Sequence, residues 1–276
     1  MQIAIFADEI NRQTPARAIH LAAAWGISHI EVRTLPGGRF PRSDDTELEN
    51  FHRLVDDAGL EISAVSPGFC KCPVADPTVP TVLAEDLPRA CEWALHWGTD
   101  LVSCFAFQRD DSSEVPAEII DHIAEMNAIA AQQGCRLVLE NEAACWGATG
   151  TEAATIIRQI DDPNLMLCWD PGNSARAGSP RPFPDEYAEL RDLIAHVHLK
   201  NFDADTSNWA LIEEGVVDWP GQLRALMKDS YEGFIVIETH LGDSPSETEV
   251  GDRELQGIEA NSFRNLEYVR SLLAYD

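Results

Sequence analysis

The sequence predicts one α/β domain, a single (β/α)8 TIM barrel over residues 1–276, and three observations predict it. A length of 276 residues suits one such barrel, which typically takes about 250. Short apolar or β-branched runs alternate eight times with longer amphipathic segments, the pattern of repeated βα units around a parallel sheet. The glycine-rich turn of a dinucleotide-binding, doubly wound sheet is missing after the first run, where Phe6-Ala7-Asp8-Glu9-Ile10 stands instead.

In chain order the expected strands are 3–6, 29–32, 61–65, 101–105, 136–139, 165–169, 195–199 and 234–237. The expected helices between and after them are 15–25, 45–58, 79–97, 116–133, 151–159, 185–193, 219–227 and 257–273. Thr14-Pro15 puts proline at a first helical position, where its missing N–H costs nothing. Thr151-Glu152 places an acid in a first turn, beside the positive end of the helix dipole.

Charge and cysteine usage exclude several classes. The net charge of -27, from 47 acidic against 20 basic residues, repels polyanions, so nucleic acid is not an expected partner. No apolar run approaches the ~18 residues of a membrane span. Met1–Phe6 enters a strand-like run at once, without the basic and long apolar regions of a secretory signal, so the expected location is cytoplasmic. The 7 cysteines are odd in number and contain no CxxC pair, which favours reduced, mostly buried thiols over a disulfide framework.

In a barrel of this kind the chemistry sits where the strands end at the C-terminal face. Strand five ends Leu139-Glu140-Asn141, strand six Trp169-Asp170-Pro171, strand seven His196-Val197-His198-Leu199-Lys200 and strand eight Ile237-Glu238-Thr239-His240. Glu140, Asp170, His198 and Glu238 follow one another at 30, 28 and 40 residues, close to one βα unit per step. Three carboxylates and an imidazole at one point are expensive to enclose without a cation. The set suits one divalent metal ion, with manganese the first expectation and magnesium, cobalt or zinc compatible. Taken singly, an acid at a strand end is more often a helix cap or half of an ion pair; the four together require those coincidences at matching places.

The segments 137–141, 168–173, 196–200 and 214–219, followed by 231–238, resemble the sugar phosphate isomerase/epimerase family of xylose isomerase-like TIM barrels. Asp8-Glu9-Ile10, Ile30-Glu31-Val32-Arg33 and 62–67 are similar to the family's first three strands. The resemblance implies that Glu140, Asp170, His198 and Glu238 are metal ligands and that Glu140 and Glu238 also serve as base and acid. The implied reaction is isomerisation or epimerisation of a small sugar, ketose or related polyol by proton abstraction through an enediolate. A lyase or dehydratase acting on a keto-sugar or inosose shares that first step. Asn201 departs from the family, in which many members carry aspartate after the lysine. The apurinic-site endonuclease branch would place a histidine where Asn173 stands, and a non-catalytic sugar-binding barrel would have no need of the full ligand quartet.

Further residues belong to the expected mouth. His240 is the additional acid–base candidate, because strand alternation puts it on the side of Glu238. Arg33, Trp146, Asn173 and Lys200 are expected to bind substrate, although an ion pair with Glu31 or Asp8 is the plainer role for Arg33 and a salt bridge the plainer role for Lys200. Phe105 and Phe107 are further candidates for the cavity wall, and His196 is expected one layer deeper, as a hydrogen-bonded core histidine. The expected partner is a small carbohydrate, and a homo-oligomer is left open.

Overall fold

A computed structural model describes residues 1–242, 255 and 257–274. Eight parallel strands close into a barrel: β1 (Gln2–Phe6), β2 (His29–Val32), β3 (Glu61–Phe69), β4 (Leu101–Cys104), β5 (Arg136–Glu140), β6 (Leu165–Trp169), β7 (Ile194–Leu199) and β8 (Phe234–Ile237). Each pairs with the next in the chain, and β8 returns to β1 with Gln2 opposite Phe234. The main helices around it are α1 (Pro15–Ala24), α2 (Asp45–Asp57), α3 (Leu87–His96), α4 (Ala117–Gln133), α5 (Gly150–Ile160), α6 (Tyr187–Leu190), α7 (Trp219–Lys228) and α8 (Ile258–Ala274).

Local chemistry sets the helix ends. Asp44 accepts from the Glu47 backbone N–H at 2.8 Å and starts α2. Thr149 accepts from Glu152 N, so α5 begins at Gly150 and not at the expected Thr151. The expected helix 79–97 divides into Val79–Thr81, a wide π turn Val82–Asp86, and α3. Pro88 explains the division, since it has no N–H for the Ala84 carbonyl and its ring crowds that oxygen. The expected helix 185–193 shrinks to α6 after the turn Pro182–Glu186. Pro184 there holds the preceding Phe183 extended, at φ −111° and ψ 133°.

The larger apolar core lies between the barrel and its helices, where Trp169, Trp219, Phe51 and Leu48 are fully or almost fully buried. A smaller set fills the barrel itself: Ala64, Leu101, Val138 and Cys168 pack together, as do Ala4, Phe6 and Val236. The period of two along each strand then carries Val138 to Glu140, Cys168 to Asp170, His196 to His198 and Lys200, and Val236 to Glu238 on one side. A plug of small and apolar residues therefore passes into a charged layer at the C-terminal ends. All seven cysteines are free thiols and six are buried. Among the described residues, no helix is long and apolar enough to cross a membrane.

Candidate metal centre at the barrel mouth

The register of β5 to β8 brings the four expected ligands together. Cys168 lies opposite both Glu140 and His196, and His198 lies opposite Val236, so the stagger of a closed barrel aligns residues from successive levels. Glu140, Asp170, His198 and Glu238 are all buried, and one ligand atom from each lies within 4.8 Å of the others. His198 Nδ1 is 3.4 Å from Glu140 Oε1 and 3.7 Å from Glu238 Oε2. It has no hydrogen-bond partner, and neither does Asp170 Oδ2. Two buried polar atoms aimed at a shared point, inside three carboxylates, fit a divalent cation.

Each candidate ligand is held by a second group. Asp170 caps the short helix Pro171–Arg176 through Oδ1, which accepts from Asn173 N at 2.8 Å, so Oδ2 is the oxygen left over. Asn141 accepts from Asp170 N and donates to Asp170 O, fixing the chain at the end of β6. Glu31 lies 3.2 Å from His198 Nε2 and 2.6 Å from His196 Nε2. A proton shared with Glu31 at Nε2 keeps Nδ1 facing the cluster; burial opposes charge on this imidazole, but Cys168, Glu140 and Glu31 raise it well above its ordinary value until a cation displaces the second proton. Phe6 packs edge-on to the His198 ring at 5.0 Å between centroids.

Lys200 supplies internal positive charge. Its Nζ donates to Glu238 Oε2 at 2.9 Å and lies 2.8 Å from Asp170 Oδ2, outside hydrogen-bonding alignment. Burial, offset only in part by Lys200, raises the Asp170 carboxyl to about 6, and Glu140 and Glu238 add to the rise. Burial acts on Glu238 in the same direction, but Lys200, His240 and Arg33 outweigh it and hold that carboxyl well below its ordinary value. The two neighbouring acids thus differ in proton affinity because their cations differ.

A second polar chain borders the first. Arg33 is paired with three carboxylates: Asp8 at 2.9 Å, Glu238 at 2.6 Å, and Glu9. Its partner is not Glu31, which is taken by the two histidines. His240 bridges Glu9 and Glu238, with Nδ1 2.9 Å from Glu9 Oε1 and Nε2 2.9 Å from Glu238 Oε1. It reaches Glu238 by a different route from strand alternation: β8 ends at Ile237, and His240 has a left-handed φ of 51°. Burial opposes its charge, yet Glu238 and Glu9 raise it to about 9. Burial would raise Glu9, but His240 and Arg33 hold it down at about 2.

The cavity above these groups measures about 430 Å³, and its walls include Phe6, Phe105, Glu140, Lys200, Glu238 and His240. Arg33 also lines it. Trp146 and Asn173 do not. Trp146 is buried on the ribbon formed by Ala106–Gln108 and Cys145–Trp146, beneath the Arg109 guanidinium. Asn173 is fully buried and donates to Glu140 Oε1 at 3.2 Å and to Asn141 O at 2.8 Å, which places it behind the ligand. Phe107 packs against His122 and away from the cavity wall. Asn201 holds the following loop, donating to Ile212 O and accepting from Val217 N. Glu9, Glu31, Arg39 and Lys71 were not singled out as site residues in the sequence, because their partners lie on other strands or the loops that follow them.

A profile of the xylose isomerase-like TIM barrel family matches residues 19–260. The chain is 29% identical over 133 residues to the MJ1311 protein of Methanocaldococcus jannaschii, a match spanning 46% of this chain and 45% of that protein's length. Among solved structures, it is similar to a D-allulose 3-epimerase from Methylomonas sp. in complex with D-allulose, at a TM-score of 0.74 and 18% identity over 98% of this chain and 96% of the other. The probable 3-DHS dehydratase of Bacillus anthracis aligns at a TM-score of 0.74 and 17% identity over 97% and 99% of the two chains. A xylose isomerase-like TIM barrel protein from Mycobacterium smegmatis in complex with magnesium aligns at 0.72 and 20% identity over 100% and 96%. At these identities the structural likenesses establish the fold, and the profile match establishes the lineage: the chain belongs to the xylose isomerase-like TIM barrel family.

Proposed function

We propose that the protein is a divalent-metal-dependent isomerase or epimerase of a small ketose or related polyol, with Glu140, Asp170, His198 and Glu238 as the ligands. The observation that carries this reading is the buried quartet with two atoms that make no hydrogen bond, His198 Nδ1 and Asp170 Oδ2. A bound divalent ion supplies Lewis acidity, which acidifies the carbon between the carbonyl and hydroxyl of an α-hydroxy ketone. Manganese suits the three oxygen donors and one nitrogen, and the magnesium complex of the Mycobacterium smegmatis barrel supports a hard divalent ion.

The chain's own groups then handle the proton. Glu140 ends β5 and Glu238 follows β8, and their carboxylate oxygens lie 3.4 and 3.7 Å from His198 Nδ1. One carboxylate removes the proton and the other returns it, to the opposite face for epimerisation or to the neighbouring carbon for isomerisation. Lys200 holds Glu238 ionised and steadies Asp170. The plug of Ala4, Phe6 and Val236 closes the cavity floor to water. The seven free thiols support a reducing, cytoplasmic compartment.

His240 favours a second reading. Raised to about 9, it carries a proton at neutral pH and borders the cavity, so it is placed to protonate a departing hydroxyl. The same first step followed by that loss is a dehydratase reaction, as in the Bacillus anthracis neighbour's name. The test is solvent deuterium incorporation into a panel of ketoses, hydroxypyruvate and inososes with manganese present. Exchange with product isomers supports the first reading, exchange with loss of water supports the second, and no exchange in any member overturns both.

A further inference from the structure

Arg39 lies on the ribbon formed by Thr34–Leu35 and Gly38–Arg39 after β2, and its side chain lines the cavity. Its Nε donates to Pro67 O at 2.9 Å and its Nη2 to Ser66 O at 3.0 Å, so two carbonyls near the end of β3 hold the guanidinium by one edge. Gly68, at φ +75°, makes room for it: a Cβ there would come within 2.7 Å of Arg39 Cζ, Nε and Nη2. The Nη1–Nη2 edge is left over, the edge that grips two oxygens of a carboxylate or phosphate.

What Arg39 lacks is a carboxylate in direct contact: Asp8, Glu140 and Glu238 act on it only from a distance. Arg33 has three carboxylates and Lys71 has Glu142 at 2.5 Å, whereas no carboxylate of the described residues pairs with Arg39. In a chain with 47 acidic and 20 basic residues, a cavity-lining guanidinium with no acid in direct contact is the informative exception. Arg12, exposed on the same cavity, is likewise without an acid partner among the described residues, and Lys71 also lines it. Two of the chain's three lysines, Lys71 and Lys200, are therefore at this mouth. Burial and the neighbouring Arg33, opposed in part by Asp8, Glu140 and Glu238, lower the Arg39 pKa to about 10, which leaves it charged at neutral pH.

We infer that Arg39 is the anchor of an anion site, and that the substrate is a ketose bearing a carboxylate or phosphate away from its reacting carbons. The reacting end of this statement rests on the proposed function; the anion site stands on the geometry of Arg39. A neutral sugar would leave the guanidinium's free edge against water, while an oxyanion there completes a bidentate pair and orients the chain of the substrate across the cavity.

Two measurements test it separately. Metal-free protein titrated calorimetrically with inorganic phosphate and with acetate should bind at least one of them, and Arg39→Gln should bind at least about tenfold more weakly. Arg39→Lys, which keeps the charge and loses the fork, should lie between, and circular dichroism of both variants identifies misfolding. Equal binding by wild type and Arg39→Gln, or no binding by wild type, overturns the anion site. In the second measurement, deuterium exchange compares a neutral ketose with its terminal phosphate and its terminal carboxylate. An anionic member should be preferred in kcat/KM by about 100-fold or more, and that ratio should collapse in Arg39→Gln through KM. The better of the two anions identifies the group. Equal turnover of the neutral ketose overturns the substrate class. Exchange in no compound defeats the proposed function in both its forms without touching the anion site, which the titration then decides.

Discussion

Glu31 joins the two imidazoles of β7 from across the barrel, 2.6 Å from His196 and 3.2 Å from His198. It accepts also from Ser66 Oγ at 2.5 Å, so the carboxylate is fully occupied in orienting its neighbours. Glu31→Gln should therefore lower divalent-ion affinity about 10- to 100-fold without emptying the site, as outer partners of histidine ligands do. Direct manganese titration measures this, and an unchanged affinity would remove Glu31 from the account. By contrast, Asp170→Ala and His198→Ala should abolish stoichiometric binding, because each deletes a buried atom of the cluster that no hydrogen bond occupies. Elemental analysis of wild type against both variants checks that outcome; equal metal content in all three contradicts the ligand assignment. The quartet was legible in the sequence because each member ends a strand at a one-unit spacing. Glu31 was not, since nothing local reveals that β2 faces β7 across the barrel; it was read as part of a family-like strand and as a neighbour for Arg33.

At the scale of elements, alternation along β5 to β8 was legible and carried the site, whereas turns built by proline were not. Apolar periodicity continues through Pro88 and Pro184, and only the missing N–H and the ring sterics break the helices there. The helix Pro171–Arg176 shows how tightly such an element is set against the site. A Cβ on Gly172 would stand 2.8 Å from Lys200 Cγ and 2.9 Å from the Lys200 carbonyl oxygen. A rotamer change can clear the side chain but not the carbonyl. Gly172→Ala should therefore destabilise the protein by about 1–3 kcal/mol, the usual range for overpacking, and displace the end of β7. Denaturant titration gives the stability change; a loss below about 0.5 kcal/mol would mean that the approach of the helix to β7 is looser than described. His240 lies between these cases, since it meets Glu238 as alternation suggests but does so from a left-handed turn beyond β8.

Over the whole molecule, the fold class was legible because eight βα units exceed what local exceptions can disguise. The distribution of charge was not, because the total of -27 gives no hint that Arg12, Arg33, Arg39, Lys71 and Lys200 share one cavity. The same total bears on partners: DNA containing apurinic sites should be neither held tightly nor cut, and efficient metal-dependent incision at low protein concentration would contradict this. Thiol chemistry offers another global check. Burial pushes Cys145 and Cys168 up to about 12, and Cys72 is the one half-buried thiol. Native protein at pH 8 should expose at most one rapidly alkylated thiol, and denatured protein all seven, as mass spectrometry will count.

The central claim is that the cluster at the mouth is a proton-transfer site and more than a metal cage, and Glu140→Gln and Glu238→Gln test it most directly. Glutamine keeps a carbonyl oxygen for a cation but cannot accept a proton, so it removes the base more completely than the ligand. Solvent deuterium incorporation at saturating substrate, read beside metal content, should fall at least about 100-fold in each variant while more metal is retained than in Asp170→Ala. Retained metal with exchange near the wild-type rate in both variants would contradict the claim and leave the two glutamates as ligands only.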